Sequence, residues 1–193
     1  MNLVSTRRRT LALTALACAT LGLGSLAGCT SREPAPESRF LLLDGSTLDS
    51  RALKGKVTLV NFWATTCTTC VAEMPELVHT FQKYQARGFE TVAVAMSYDP
   101  VEWVLNFSNS RQLPFKVALD RNGELARQWG DVKLTPTTFL VDQQGQIVKR
   151  QQQCGQRFPT CRAFGQEGGH GGVPFVQPHL FGGMGQIIDN AAG

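Results

Sequence analysis

The most constraining feature of this 193-residue chain is a pair of cysteines, Cys67-Thr68-Thr69-Cys70, set between an apolar run and an amphipathic one. The run before it, Val57–Trp63 (Val-Thr-Leu-Val-Asn-Phe-Trp), is β-branched and aromatic. Its near-continuous apolarity predicts a strand buried on both faces. From Cys70 to Gln85, Met74, Leu77, Val78, Phe81 and Tyr84 recur at spacings of three and four, which predicts a helix with one apolar face, stopped at Gly88. The two cysteines therefore fall where a strand ends and a helix begins. Free N–H groups and the helix dipole at that point stabilise a thiolate. Two intervening residues let the thiols meet across one turn. Cys67, first in the motif, is then the exposed attacking thiolate, and Cys70 the shielded thiol that resolves the mixed disulfide. Half a zinc site is the poorer alternative, because two further ligands are needed, His79 lies on the same helix and no second Cys-x-x-Cys exists. A structural disulfide in an oxidising compartment is the other.

Around this unit the pattern alternates. Phe40–Leu43 reads as a strand ended by Asp44-Gly45, and Lys54-Gly55-Lys56 as a turn. Phe89–Met96 is a second buried strand. Val101–Phe107 is a helix begun after Asp99-Pro100, Phe115–Leu119 a strand, and Glu124–Trp129 a short helix. Thr137–Val141 and Gln146–Lys149 are strands joined by the turn Asp142-Gln143-Gln144-Gly145. Strands alternating with helices imply an α/β fold around a central mixed sheet.

The first residues read as an address. Met1–Arg9 is short and positive, Thr10–Leu26 is apolar, and Leu26-Ala27-Gly28 precedes Cys29, the order of a secretory signal peptide. Leu26-Ala27-Gly28-Cys29 resembles a bacterial lipobox, which implies cleavage before Cys29, a lipid on its thiol and a periplasm-facing protein anchored to the membrane bilayer. An uncleaved transmembrane helix is the alternative; the run is somewhat short for one. Cys18 leaves with the signal. Removing Arg7, Arg8 and Arg9 lowers the formal charge of +4 to about +1, so charge gives no argument for a nucleic-acid partner. Residues 29–38, rich in Pro, Glu and Ser, read as an extended tether to a domain spanning 39–150.

Asn61-Phe62-Trp63-Ala64-Thr65-Thr66-Cys67-Thr68-Thr69-Cys70, then Glu73-Met74-Pro75-Glu76-Leu77, resembles the TlpA/ResA-type membrane-anchored thioredoxin-like proteins. Leu134-Thr135-Pro136-Thr137-Thr138-Phe139-Leu140-Val141-Asp142 extends the likeness, which covers about residues 39–150. The resemblance implies a thioredoxin-like fold and a protein-disulfide reductase working through a redox-active Cys67–Cys70 dithiol. No further cofactor and no metal are implied. Its partners would be client protein thiols or disulfides and a membrane thiol-electron donor. An oxidase of the same design, or a non-catalytic binding or chaperone lipoprotein, are the alternative functions. The resemblance further implies that Pro136 is a cis-proline facing the dithiol, that Thr135 offers its backbone to substrate, and that Glu73 is an acid exchanging protons with Cys70. Trp63 would shield the site and border bound substrate; packing explains it almost as well. Pro75 would kink the helix. Thr66 and Thr69 depart from the aromatic and the proline usual at their positions, so the redox potential does not carry over.

After Arg150 the composition changes abruptly to a glycine-rich stretch, residues 151–193, with no helical or strand period. A final helix covering one sheet face is expected here and is missing from the pattern. The leading reading is a frameshifted end; a flexible tail, or a second pair formed by Cys154 and Cys161, are the others.

Overall fold

The computed structural model describes residues 32–152 and the single position 186. Eight strands form one sheet: β1 Glu33–Pro34, β2 Arg39–Leu42, β3 Thr47–Asp49, β4 Val57–Trp63, β5 Phe89–Ala95, β6 Lys116–Leu119, β7 Thr137–Val141 and β8 Gln146–Gln152. Among residues 32–152, three α-helices accompany them: α1 Thr68–Tyr84, α2 Val101–Arg111 and α3 Glu124–Gln128. The strand order is β1-β8-β7-β4-β5-β6-β2-β3. β4, β5 and β6 run parallel, and the remaining pairings are antiparallel. The sheet is therefore mixed and the fold α/β, as expected.

Alternation along β4 explains why its sequence is apolar throughout. Val57, Leu59 and Trp63 face α1 and α2, joining Met74, Leu77, Phe81, Tyr84 and Val104 in one core. Val60 and Phe62 face the other way, into a core with Phe40, Val94, Trp129 and Phe139. All seven residues of β4 are buried. Trp129 centres the second core, its ring 5.1 Å from Phe139, 6.2 Å from Phe62 and 6.4 Å from Phe40. Its indole N–H donates to Ser38 Oγ at 2.9 Å, so the ring is buried without leaving a polar atom unmet.

Several boundaries differ from the sequence reading. Within the stretch read as a tether, Glu33 and Pro34 pair with Ile147 and Gln146 at the sheet edge, and Ser38 is buried. Proline is tolerated there because an edge strand needs no donor on its outer side. β3 was not expected; it pairs with β2 through Phe40↔Leu48 across the Asp44-Gly45 turn. α2 runs four residues beyond Phe107, to Arg111, and β8 extends to Gln152. A 3-10 turn, Gln85–Arg87, separates α1 from Gly88, whose φ of +79° suits the chain reversal into β5. The buried Asp120 fixes the start of α3 by accepting from the N–H groups of Leu125 (3.1 Å) and Ala126 (2.9 Å). Cys154, Cys161 and all of the glycine-rich stretch beyond Gln152 except position 186 lie outside the described residues, as does the question of a final helix.

Candidate functional site

The carboxyl ends of β4 and β5 lie side by side, Trp63 opposite Ala95, and Met96 N–H continues the ladder to Trp63 C=O at 3.0 Å. Loops leaving parallel strands emerge at one edge, where α/β proteins build sites. The loop after β4 runs into α1 with Cys67 as its N-cap residue. Cys67 Sγ accepts the N–H of Cys70 at 3.2 Å and forms a disulfide with it, the Cα atoms 5.2 Å apart. Thr69 Oγ1 lies 3.4 Å from the same sulfur. Cys67 is half-buried and Cys70 fully buried. The less buried cysteine is thus the one at the positive end of α1, where a thiolate is favoured once the disulfide is reduced.

Glu73 lies one turn after Cys70 on the same face of α1. Only 2% of its surface is exposed, and neither carboxylate oxygen has a hydrogen-bond partner. Burial pushes its pKa up to about 7, because nothing compensates the ionised form for lost water. Asn61, one strand position below Phe62, donates to Thr138 Oγ1 at 2.9 Å.

Thr135–Pro136 is cis and Pro136 is buried. Thr137 pairs with Phe62, so the cis bond enters the sheet at the level of Trp63, at the dithiol end. Trp63 itself is fully buried with its ring 5.2 Å from Phe107. In this structure the side chain packs into the core of α1 and α2 and presents no surface of its own. Pro75 sits inside α1. Cys29 lies outside the described residues.

Sequence reasoning missed the side chains that tie the loops together. Asp99, buried on the loop after β5, accepts from the N–H and the hydroxyl of Thr65, both at 2.6 Å. The next-door Tyr98 hydroxyl lies 3.3 Å from Thr135 Oγ1. Three loops therefore converge: the one leading to Cys67, the one after β5 and the one carrying Pro136. The available signal was the position of Tyr98-Asp99-Pro100 directly after a parallel strand; it was read only as a helix start.

Among the described residues, no group of three or more His, Cys, Asp or Glu side chains is placed to hold a metal. No helix among them is long and apolar enough to cross a membrane.

A family model described as Redoxin matches residues 30–161. The chain belongs to the Redoxin family. Within it, the TlpA/ResA likeness holds. The chain is 35% identical over 107 residues to the thiol-disulfide oxidoreductase ResA of Bacillus thuringiensis subsp. konkukian, covering 55% of this chain and 61% of that one. It is 35% identical over 112 residues to ResA of Bacillus subtilis, covering 57% and 62%. The redoxin chain thus spans about three fifths of the length of these curated relatives. A Neisseria meningitidis protein described as a thioredoxin, solved in solution, superposes with a TM-score of 0.64 at 30% identity over 83% of this chain and 91% of that one.

Proposed function

We propose that this redoxin is a thiol–disulfide oxidoreductase that reduces disulfides of client proteins in the bacterial periplasm. One observation carries the reading: a half-exposed Cys67 sulfur at the start of α1, bonded to a buried Cys70, with the unpartnered carboxyl of Glu73 one turn on. The names of the ResA relatives support the same chemistry. In the reduced protein, the Cys67 thiolate attacks one sulfur of a client disulfide, and the other client sulfur leaves as a thiolate. Cys70 passes its proton to ionised Glu73 and attacks the Cys67 sulfur. The Cys67–Cys70 disulfide forms and the second client thiolate is released. A group with a pKa of about 7 both accepts and returns a proton near neutrality. Two electrons must then come from a membrane dithiol carrier. The signal-like segment and the lipobox-like Leu26–Cys29 support periplasmic placement and an anchor through lipid on Cys29.

The mechanism is tested by trapping. Reduced Cys70→Ser protein mixed with disulfide-bonded insulin should accumulate a mixed disulfide through Cys67, and Cys67→Ser protein should form none. Trapping by neither variant would contradict the reading. Mass spectrometry of the purified chain tests the anchor: a lipid-modified Cys29 as first residue is expected, and an intact Met1 would contradict it.

A further inference from the structure

On the sheet face away from α1 and α2, the second core does not fill the space it encloses: a cavity of about 220 Å³ lies there. The strands give it Phe40, Val60 and Val141, and Trp129 and Leu53 add further apolar wall. The segment 34–37 and the turn ending at Lys54 complete the lining. These enclosing segments are pinned. The N–H of Ala35 donates to Gly145 C=O and that of Gly55 to Gln143 C=O, both at 2.9 Å, and Ser50 N–H donates to Ser38 C=O at 2.8 Å. Walls fixed in advance need little ordering when something binds. The cavity reaches β4 at Thr58, near the start of the strand, whereas the dithiol lies past its end at Trp63, about 17 Å further along. The two places are separate.

Thr58 narrows what the cavity takes. By alternation it shares the face of β4 with Val60, and it borders the cavity. It is 2% exposed, and its hydroxyl has no hydrogen-bond partner. Buried hydroxyls are nearly always bonded, so this one favours an occupant that supplies the bond. Rotation about χ1 exchanges a threonine's hydroxyl and methyl, which turns the hydroxyl to a ligand without moving the strand. Charge narrows the ligand further. Asp142 is engaged by Arg32 at 3.2 Å and by the N–H groups of Gln144 and Gln146 at 3.0 and 2.8 Å, and Arg51 by Asp49 at 2.8 Å. The other charged lining residues are Glu37 and Lys54, one of each sign. Such a lining offers an ion no net charge. Size completes the description: an apolar cavity of about 150 Å³ holds benzene, so this one holds a single ring with a short substituent.

We propose that this cavity is a second binding site, for a small uncharged ring compound carrying one hydroxyl. The ring lies among Phe40, Val60 and Trp129, and the hydroxyl bonds to Thr58, whose own hydroxyl both donates and accepts. The site goes beyond the proposed oxidoreductase function and rests on no part of it. Selectivity follows from the unpaired hydroxyl: a ligand with a methyl in place of its hydroxyl fills the same volume and leaves Thr58 without a partner.

The test titrates the full chain with 4-fluorophenol and with 4-fluorotoluene, which differ by that one group, and follows binding by fluorine NMR. Both should bind saturably, the phenol about five- to tenfold more tightly. Thr58→Val keeps the shape of the wall and removes the hydroxyl, and should bring the two affinities within about twofold of each other. Ala35→Leu enlarges a residue packed against this core and should weaken both compounds at least about tenfold. Urea unfolding should find Thr58→Val at least as stable as the parent, because the deleted hydroxyl was unpartnered, so a lost preference for the phenol is not lost folding. No saturable binding of either compound would overturn the inference. So would an unchanged preference for the phenol in Thr58→Val, or parent-like affinity in Ala35→Leu, which would place the compounds elsewhere on the protein.

Discussion

Glu73→Gln removes the buried, unpartnered carboxyl one turn after Cys70, and its effect on stability has a sign that depends on pH. In the unfolded chain this carboxyl titrates near 4.5, and in the fold near 7. At about pH 4 both states carry the proton and the group adds no pH-dependent contribution. Between the two values the unfolded state releases its proton while the folded state holds on to it, so stability falls as pH rises. Above about pH 8 the folded state bears the full cost of an ionised, unpartnered carboxylate, about 3 kcal/mol for a shift of this size. Glutamine does not titrate. Its own buried amide costs about 1–3 kcal/mol, equally at every pH. The variant should therefore be comparable to or less stable than the parent at about pH 4.5, and gain about 3 kcal/mol relative to it by about pH 8. Urea unfolding of the oxidised forms at these two pH values measures this, because the disulfide removes thiol titration from the comparison. Parallel pH profiles for parent and variant would refute the reasoning, whatever their absolute stabilities.

Two predictions concern other parts of the molecule. Asp99→Asn weakens one of its two bonds to Thr65 and should cost about 1.5–3 kcal/mol; in a cycle with Thr65→Val the effects should be non-additive by about 0.5 kcal/mol or more. Additive losses in denaturant titrations would show that the two residues do not act together. Phe139→Ala empties the centre of the Trp129 cluster and should cost about 3–5 kcal/mol of unfolding free energy, and a loss below about 1 kcal/mol would contradict the packing described.

The parts of the fold that sequence made legible are those whose local pattern and tertiary role agree. Val57–Trp63 and the Met74–Leu77–Phe81–Tyr84 stripe are buried by partners that their own periodicity anticipates, and Cys67 caps the helix at the junction between them. β1 and β3 were missed because two or three residues carry no period; their pairing is set by Ile147 and Leu48's neighbours on other strands. Glu73 was legible as an acid in the right turn, but its burial depends on how α1 lies on the sheet. The Asp99–Thr65 bond joins residues 34 apart, and the Tyr98–Thr135 contact joins residues 37 apart. Nothing local in Tyr-Asp-Pro distinguishes such a clasp from an ordinary helix entry. Trp63 is legible as a buried residue, because the alternation of β4 turns it into the core.

The most direct test of the proposed reductase is the midpoint potential of the Cys67–Cys70 pair, measured by titration in redox buffers with alkylation of free thiols. A value near or below about −270 mV, that of a reducing thioredoxin, is expected. A value near about −120 mV would make the pair an oxidant and contradict the assigned direction of electron flow.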